Sequence, residues 1–352
     1  MQADRPLVSV VIPMYNEEAV AERCLQSVTD ELQGLSDRFR FEVLVVDDGS
    51  DDATPAVIER FAQTHPEVRL LRHRSNFRLG QALRFAFGQS AGDYVVTFDA
   101  DLSYTTDHIG RLLDAITETG ARIVIASPYM QGGKTYGIPF MRRAMSRGAN
   151  WFLGLTAQEH LKTVTGLVRA YDGPFIRTLD LKAVDTDVNT EIIYKAQLLR
   201  ARIEEIPAVL DWRDLGSRRP VKGFNTRLYW GTAKQLVSGF LFRPFMFFLL
   251  PGLALLLLSL GFGVWAIRAV VQTHDALDYS WVHATNETIR TRPIIFGAGT
   301  VSLIIGLQLV SLAIVTLQAK RYFEELFHLG TTVNRQVSDE PSLRQPRPTD
   351  QA

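Results

Sequence analysis

The chain has 352 residues, with 38 basic and 38 acidic side chains and 46% apolar residues. This length supports one sizeable core plus further elements, and the zero net charge argues against a general nucleic-acid-binding protein. The single cysteine, Cys24, excludes a disulfide framework within the chain and fits a reducing compartment. Its helical apolar surroundings predict a buried structural side chain. The first apolar run ends at Pro13 and is too short for a signal peptide.

Residues 7 to 127 alternate between short apolar runs and segments of helical periodicity. The apolar runs are LVSVVIP, FEVLVVD, VRLLRH, YVVTFD and RIVIAS. Between the second and third runs, Thr54 is expected as a helix N-cap with Pro55 at the first helical position. The alternation predicts an α/β fold, a doubly wound and mostly parallel sheet with helices on both faces. In such sheets, ligands bind beyond the carboxyl ends of the strands.

Polar side chains follow four of these predicted strands. The segments are PMYNEE at 13–18, DDGSDD at 47–52, RSNFR at 74–78 and DAD at 99–101. Neither a glycine-rich dinucleotide fingerprint nor a phosphate-cradling lysine loop is present, which excludes the common NAD and ATP sites. Asp99 and Asp101 supply hard oxygen ligands suited to Mg²⁺ or Mn²⁺. Such a cation would in turn hold a diphosphate.

Three blocks, VSVVIPMYNEE, VVDDGSDDAT and FDADLSY, resemble in order and spacing the family 2 glycosyltransferases with the GT-A fold. Their Asp-x-Asp motif binds the metal of a nucleotide-sugar. Two later segments, GGKTYGIPFMRRAMSRGANWFLG and EIIYKAQLLRARIEEIPAVLDWRDLGSRR, are similar to dolichyl-phosphate mannose synthases and undecaprenyl-phosphate sugar transferases. The resemblance implies an inverting enzyme that uses Mg²⁺ or Mn²⁺. It would transfer a sugar from a UDP- or GDP-hexose to a polyprenyl phosphate.

The resemblance also implies roles for individual residues. The nucleotide-sugar is expected to contact Pro13, Tyr15, Asn16, Glu17, Asp47, Asp48, Asn76, Gln81, Asp99, Ala100 and Asp101. Asp101 is expected to be the principal metal ligand, with Asp99 beside it and Ser103 where relatives often carry a metal-contacting Gln. The lipid phosphate and the donor diphosphate are expected to contact Arg142, Arg143, Arg147, Arg213, Ser217 and Arg218. The residues expected to act in catalysis are Asp99, Asp101, Arg143 and Arg213.

No general base is identifiable in the sequence. Many relatives carry an acid shortly before a Ser-Gly-Phe-Arg turn, whereas the run LKTVTGLVRAY has none between Leu161 and Tyr171. A polyprenyl phosphate is already ionised at neutral pH, so its oxygen can attack without losing a proton. The site then needs mainly to align the reactants and to neutralise the departing nucleoside diphosphate.

Some of these residues have structural alternatives that stay open. Asp51 and Asp52 are typical helix caps, and Asn16 with Glu17 would suit the start of the first helix. Glu191 would equally suit the first turn of a helix. The arginines of residues 142–147 would also fit a solvated or membrane-facing surface.

The function has alternatives as well. One is a membrane glycosyltransferase with a glycan or lipid hydroxyl as acceptor, which would need a base. Another is a non-catalytic, membrane-anchored protein that binds nucleotide-sugars. A metal-dependent nucleotidyltransferase is a third, with a poorer motif match.

Two long uncharged runs near the C-terminus predict two transmembrane helices, at about 244–267 and 294–318. Basic residues at their outer flanks favour a cytoplasmic position for the domain at 1–222, on the plasma or inner membrane. Residues 223–243 predict an amphipathic segment in the membrane interface. Residues 320–352 are expected to form a juxtamembrane helix and, after Thr331, a disordered tail. Glycines at 261–263 and 297–306 are a weak pattern for homo-oligomer packing.

Overall fold

The structure is a computed structural model, and it describes residues 5–138, 161–213, 245–278 and 280–339. The chain divides into two compact units, Met1–Phe242 and Arg243–Ala352. Among the described residues, the first unit forms nine strands and six helices, and the second forms three helices. The predicted interfacial segment at 223–243 lies outside the described residues.

The bounds of the elements in the first unit are as follows. The strands are β1 Leu7–Met14, β2 Arg40–Asp47, β3 Val68–Arg72, β4 Tyr94–Thr97, β5 Ile123–Ser127, β6 Lys134–Tyr136, β7 Arg169–Asp172, β8 Ile203–Pro207 and β9 Val209–Asp211. The helices are α1 Glu18–Gly34, α2 Thr54–Ala62, α3 Leu79–Gln89, α4 Asp107–Thr119, α5 Gly173–Thr178 and α6 Val188–Leu198.

The main sheet has the strand order β3-β2-β1-β4-β7-β5-β8. All neighbours pair in parallel except β7, which runs antiparallel to both β4 and β5. The predicted mostly parallel α/β sheet is therefore confirmed. Strand order reverses on either side of β1, and the crevice outside such a reversal is where open α/β sheets bind ligands.

Helices cover both faces of this sheet because its strands are apolar on both sides. Val10 and Ile12 of β1 pack with the buried face of α1, which includes Cys24, Leu25 and Val28. On the opposite face, α3 packs against β1 and β2. Cys24 is fully buried, as the sequence predicts.

Helix α2 begins one residue earlier than a Thr54 cap would allow. Its N-cap is Ala53, so Thr54 is itself helical and the predicted cap is wrong. Asp52 supplies the missing acceptor, because its Oδ1 accepts hydrogen bonds from the Thr54 amide at 2.9 Å and from the Thr54 hydroxyl at 2.5 Å. The carboxylate thus satisfies an amide of the first turn that helices leave without an internal partner.

The second unit consists of α7 Met246–Leu277, α8 Trp281–Thr291 and α9 Pro293–Asp339. In α7 and α9, the segments Met246–Leu277 and Pro293–Phe323 have mean hydropathies of 2.3 and 2.2 and are long enough to cross a membrane. Their apolar side chains are largely exposed, for instance Leu257 at 70% and Ile294 at 79%. Helices that bury so little apolar surface are unlike the core helices of a soluble protein.

Two features of this unit differ from the expectations. The connection between the apolar helices contains α8, which the sequence reasoning missed. The disorder expected after Thr331 is wrong as far as Asp339, because α9 continues to that residue. The stretch from Thr331 to Asp339 contains no Gly or Pro to end the helix, and Pro341 follows it.

Glycines allow α7 and α9 to approach closely. A Cβ added to Gly252 would lie 3.1 Å from the Leu309 Cβ, and one added to Gly306 would lie 3.0 Å from the Leu256 side chain. A Cβ added to Gly261, Gly263 or Gly297 would have no neighbouring atom within 4 Å. Gly306 therefore serves packing within the chain, and packing with a second copy stays a prediction for the others.

Candidate active site

A cleft of about 510 Å³ opens at the carboxyl ends of β1, β2 and β3. Its volume is that of a typical small-molecule site. It is lined by Tyr15, Gly49, Ser50, Asp51, Arg72, His73, Arg74, Ser75 and Asn76. Tyr15 and Asn76 were expected to contact the nucleotide, and Arg74 belongs to the polar segment predicted after the third strand. Arg72 and His73 were not predicted to line a site. These loops converge because Met14, Asp47 and Arg72 lie opposite one another in the sheet register.

Asp47, at the end of β2, is fully buried beside this cleft. Its Oδ1 accepts a hydrogen bond from the Ser50 amide at 3.1 Å. Its Oδ2 lies 3.3 Å from Nε of Arg72 but has no hydrogen-bond partner among the described residues. A buried carboxylate oxygen without a donor is costly. It is an acceptor suited to an N–H group of a ligand.

The loops after β1 and β2 are joined by their own side chains. The Asn16 amide donates to Ser50 Oγ at 2.9 Å, and Asn16 Oδ1 accepts from the Asp51 amide at 2.9 Å. Asn16 has a φ of 54°, a conformation that Asn tolerates better than most residues. The Glu17 amide donates to Thr54 Oγ1 at 2.8 Å. Asn16 therefore holds the cleft floor together, and α1 begins after Glu17, at Glu18.

Gly49 is required by the close approach of the next loop. Its φ is 72°, and a Cβ added there would lie 2.4 Å from the carbonyl carbon of Ser75. No side chain fits at that distance, so only glycine lets the loop after β2 lie against the loop after β3. This contact brings residues 72–76 into the cleft wall.

Asp48 anchors the loop after β3. Its nearly buried carboxylate accepts hydrogen bonds from His73 Nδ1 at 2.7 Å, the Phe77 amide at 3.0 Å and the Arg78 amide at 2.7 Å. The contact with ribose that the resemblance implies stays a prediction. The structure shows that Asp48 sets the position of residues 73–78.

The backbone at Arg78 is strained. Its φ is 73° and its ψ is 167°, a region populated almost only by glycine. Such a conformation costs about 1–3 kcal/mol and persists only where surrounding contacts fix it. The fixing contacts are those of its amide with Asp48 Oδ2 and Asn76 Oδ1, at 2.7 and 3.1 Å. Its guanidinium NH1 lies 3.1 Å from Oδ2 of Asp185.

Carboxylates cluster beyond the end of β4. Burial, and after it the negative charges of Asp101 and Glu17, together raise the pKa of the Asp99 carboxyl to about 7. Asp101 Oδ1 accepts a hydrogen bond from the Ser103 amide at 2.9 Å, which fixes the turn. Leu102, with a φ of 56°, lets the turn close. The three acids Glu17, Asp99 and Asp101 therefore feel one another's charge at this strand end.

This cluster fits a divalent cation bound together with a substrate. Among the described residues, no group of three or more His, Cys, Asp and Glu side chains forms a complete metal site. Mg²⁺ characteristically takes one or two carboxylates and completes its shell with water and substrate phosphates. Asp99 and Asp101 supply two carboxylates at the sheet edge, and a bound cation would relieve the repulsion between their charges. The Ser103 side chain is buried, and metal ligation by it stays a prediction.

The remaining residues predicted to contact the nucleotide-sugar lie near the ends of β1 and β4 and at the start of α3. Pro13 is the penultimate residue of β1, Gln81 lies in the first turn of α3, and Ala100 is buried between the two aspartates. Their contacts with a nucleotide-sugar stay predictions.

Arg213 is the one predicted phosphate-binding arginine within the described residues. It forms an ion pair with Asp211 of β9, and its guanidinium lies 4.9 Å from the centre of the Tyr136 ring. Hydrogen bonds from Arg213 hold the pKa of the Asp211 carboxyl below its usual value. The other predicted residues of this group, Arg142, Arg143, Arg147, Ser217 and Arg218, lie outside the described residues.

Arg169 was missed by sequence reasoning. It is fully buried on β7, opposite Thr97 of β4, and burial lowers the pKa of its guanidinium. NH1 donates to the Asn189 carbonyl at 2.9 Å and NH2 to the Val164 carbonyl at 2.6 Å. Arg169 thereby holds the start of α6 next to β4. The only signal in the sequence was one arginine inside the apolar run GLVRAY.

Glu191 has a structural role as well as a first-turn position in α6. It is buried and accepts hydrogen bonds from the amides of Lys182 and Ala183 at 2.9 and 2.7 Å. It also pairs with Lys195 at 2.7 Å. These contacts fix the loop that leads to Asp185 and α6.

Comparison with known proteins identifies the family. A sequence model described as glycosyl transferase family 2 matches residues 9–183. The polyprenol monophosphomannose synthase of Mycolicibacterium smegmatis is 30% identical over 225 residues, 62% of this chain and 82% of that protein. The undecaprenyl-phosphate mannosyltransferase of Micrococcus luteus is 30% identical over 219 residues, 60% of this chain and 86% of that protein. The chain belongs to glycosyl transferase family 2.

Membership of this family makes the chain a glycosyltransferase with the GT-A fold, as the sequence motifs indicated. The dolichol-phosphate mannosyltransferase of Pyrococcus furiosus is 29% identical over 215 residues, and the match spans 58% of its length. Among solved structures, glucosyl-3-phosphoglycerate synthase from Mycobacterium tuberculosis with Mn²⁺, UDP and phosphoglyceric acid aligns with a TM-score of 0.49 at 20% identity. That alignment covers 67% of this chain and 78% of the synthase.

Proposed function

We propose that this family 2 glycosyltransferase transfers a sugar from a nucleotide-sugar to a polyprenyl phosphate. The observation that carries the proposal is the single sheet edge that holds both a nucleoside-sized cleft beyond β1 to β3 and a carboxylate cluster beyond β4. The acceptor class rests on the two relatives named for transfer to polyprenol or undecaprenyl phosphate, which align over 82% and 86% of their own lengths.

The nucleoside would occupy the cleft. Tyr15 offers an aromatic face, and Oδ2 of Asp47, which accepts no hydrogen bond from the described residues, would accept one from a base N–H. Arg72, which is half-exposed beside that oxygen, would donate to a base carbonyl. The diphosphate would then extend across the sheet edge toward Asp101.

Asp101 and Asp99 would hold Mg²⁺ or Mn²⁺, as the sequence resemblance implies. When bound, such a cation neutralises the charge that develops on a departing diphosphate. Oδ1 of Asp101 accepts a hydrogen bond from the Ser103 amide, which fixes the orientation of the carboxylate. Oδ2 of Asp101 would then be the oxygen that binds the cation. Glu17 lies close enough to influence Asp99 electrostatically and would favour a cation there.

The chemistry needs no proton removal from the acceptor. A phosphate oxygen of the lipid attacks the anomeric carbon as the bond from that carbon to the diphosphate oxygen breaks. The products are a polyprenyl-phosphate sugar of inverted configuration and a nucleoside diphosphate. The predicted arginines, Arg143 and Arg213 among them, would hold the lipid phosphate in line.

The second unit would anchor the enzyme at its lipid substrate. The apolar helices α7 and α9 would span the membrane twice, and the basic residues at their outer flanks favour a cytoplasmic position for the catalytic unit. The enzyme and its lipid acceptor would then share one membrane.

The test incubates detergent-purified full chain with polyprenyl phosphate, Mg²⁺ or Mn²⁺ and a panel of UDP- and GDP-sugars. Lipid-linked sugar is measured by mass spectrometry. We expect product from one donor class, loss of product with EDTA, and loss by a factor of at least about a hundred in Asp101→Asn. Asp30→Asn, at an exposed position of α1, is the matched control.

Transfer to a sugar or lipid hydroxyl but not to polyprenyl phosphate would contradict the acceptor. Donor binding without any transfer or hydrolysis would favour a binding protein. Full activity in Asp101→Asn or in EDTA would contradict the metal role.

A further inference from the structure

Arg78 combines a strained backbone with an exposed side chain. Its φ of 73° is imposed by the amide contacts with Asp48 and Asn76, and its side chain is 65% exposed. A glycine would adopt this conformation without strain. The strained backbone of an arginine at this position does not stabilise the fold. The reason for an arginine here therefore lies in its side chain.

Arg78 lies in the chain between the nucleoside cleft and the start of α3, and its guanidinium contacts the loop before α6. Arg78 immediately precedes α3, whose start contacts the loop before α6: the Gly80 amide donates to the Val184 carbonyl at 2.9 Å. Asp185, the partner of Arg78, follows in that loop. Asn76, two residues before Arg78, lines the nucleoside cleft. On the other side, α6 begins beside β7, where Arg169 holds Asn189.

A donor with its nucleoside in the cleft and its diphosphate at Asp101 must cross the edge from β3 and β2 to β4. α3 packs against β1 and β2, the strands that this path crosses, and against α6. Arg78 immediately precedes α3, which follows the carboxyl end of β3, so it lies at the same sheet edge as this path.

We propose that Arg78 is a donor-binding residue whose guanidinium exchanges Asp185 for a phosphate of the nucleotide-sugar. This inference rests on the proposed function. The planar guanidinium offers paired N–H donors that match phosphate oxygens. In its ion pair with Asp185 the Arg78 side chain is 65% exposed and the Asp185 side chain 22%, and NH1 contacts Oδ2 at 3.1 Å, so solvent reaches the guanidinium side and a phosphate can replace the carboxylate there. Asp185 holds the side chain near the path while no donor is bound.

The experiment measures binding of UDP and of GDP to the full chain in detergent with Mg²⁺, by calorimetry, together with the thermal midpoint of each variant. Arg78→Gly removes the guanidinium and the strain together. Arg78→Gln removes the guanidinium but keeps a side chain at the strained position. Arg60→Gln is the matched control, because Arg60 is also 65% exposed and has one carboxylate neighbour, Glu22 at 3.6 Å.

We expect both Arg78 variants to bind the preferred nucleotide about tenfold more weakly or worse. Arg78→Gly should do so with a thermal midpoint equal to or above that of the unaltered chain. Asp185→Asn should bind the nucleotide at least as tightly as the unaltered chain, since it releases the guanidinium. Arg60→Gln should change neither quantity.

Unchanged affinity in both Arg78 variants would overturn the inference and leave the proposed function standing. So would a loss of affinity in Asp185→Asn equal to that in Arg78→Gly, because the pair would then act by holding the loop. If the unaltered chain binds neither UDP nor GDP, the proposed function fails and this inference fails with it.

Discussion

The Asp48 carboxylate accepts a hydrogen bond from Nδ1 of His73 at 2.7 Å, and this contact joins the end of β2 to the loop after β3. Because an ionised carboxylate only accepts, Nδ1 carries the proton. The imidazole also lies edge-on to the ring of Phe77, with centres 5.2 Å apart. The Asp48 carboxylate thereby fixes both the His73 side chain and the backbone of the loop after β3.

Replacing Asp48 should loosen that loop. Asp48→Ala leaves the amides of Phe77 and Arg78 without their acceptor, and the expected loss of stability is about 3 kcal/mol. For a unit of this size, that is a fall of about 6–12 °C in the thermal midpoint. Asp48→Asn keeps one acceptor oxygen and should lose less. Thermal unfolding of the full chain in detergent measures both, with exposed Asp37→Ala as control. Equal midpoints for Asp48→Ala and Asp37→Ala would contradict the anchoring role.

Glycines 49 and 88 should respond to alanine in opposite directions. At Gly49 the added Cβ meets the Ser75 backbone at 2.4 Å, so Gly49→Ala should destabilise by about 2–4 kcal/mol and weaken nucleotide binding. At Gly88, inside α3, nothing lies within 4 Å, so Gly88→Ala should stabilise by up to about 1 kcal/mol. Thermal midpoints and nucleotide titrations distinguish the two. A tolerated Gly49→Ala would show that the two loops are not in close contact.

Glu31 should make stability depend on pH. Burial against α4 raises the pKa of its carboxyl, and the charge of Asp107 adds to that rise. A raised pKa in the folded state gives stability that is present at acid pH and lost as pH rises through that pKa. Glu31→Gln should therefore stabilise at pH 7 by about 0.5 kcal/mol and make no difference below pH 4. Denaturation at both pH values tests this, with exposed Glu59→Gln as control. An equal gain at both pH values would contradict the electrostatic cause.

The glycine contact between α7 and α9 should be intolerant of large side chains. Gly252→Leu would drive a side chain into Leu309 and Val310, whose atoms lie 3.1 Å from the added Cβ alone. We expect a lower thermal midpoint and faster proteolysis in detergent. Gly261→Leu, on an open face of α7, should leave both unchanged. If Gly261→Leu lowered the thermal midpoint more than Gly252→Leu did, the contact between α7 and α9 would not lie at Gly252.

The sequence predicted the parallel framework because apolar runs and helical segments alternate at regular spacing. It also predicted the Asp99 and Asp101 cluster and the cleft residues Tyr15 and Asn76, whose loops follow strands that pair in register. Arg72 and His73, which also line the cleft, were missed because they end the apolar run VRLLRH and have no periodic signature of their own. Likewise, the conformation of Arg78 depends in part on Asp48, 30 residues away in sequence, and the buried Arg169 depends in part on Asn189, 20 residues away. No local pattern encodes such contacts.

The antiparallel strand β7 has a consequence for synthesis of the chain. Strands β3, β2, β1 and β4 can pair once residue 97 is available, but β5 reaches the sheet only through β7. From Ser127 to Asp172 the ribosome must add 45 residues, which takes roughly 2–9 s at about 5–20 residues per second. During that interval one edge of β4 and both edges of β5 are unpaired, and an unpaired edge of this kind is a template for pairing with another chain. One interval of aggregation risk for this enzyme therefore falls late in the translation of its first unit, before its apolar helices have been made.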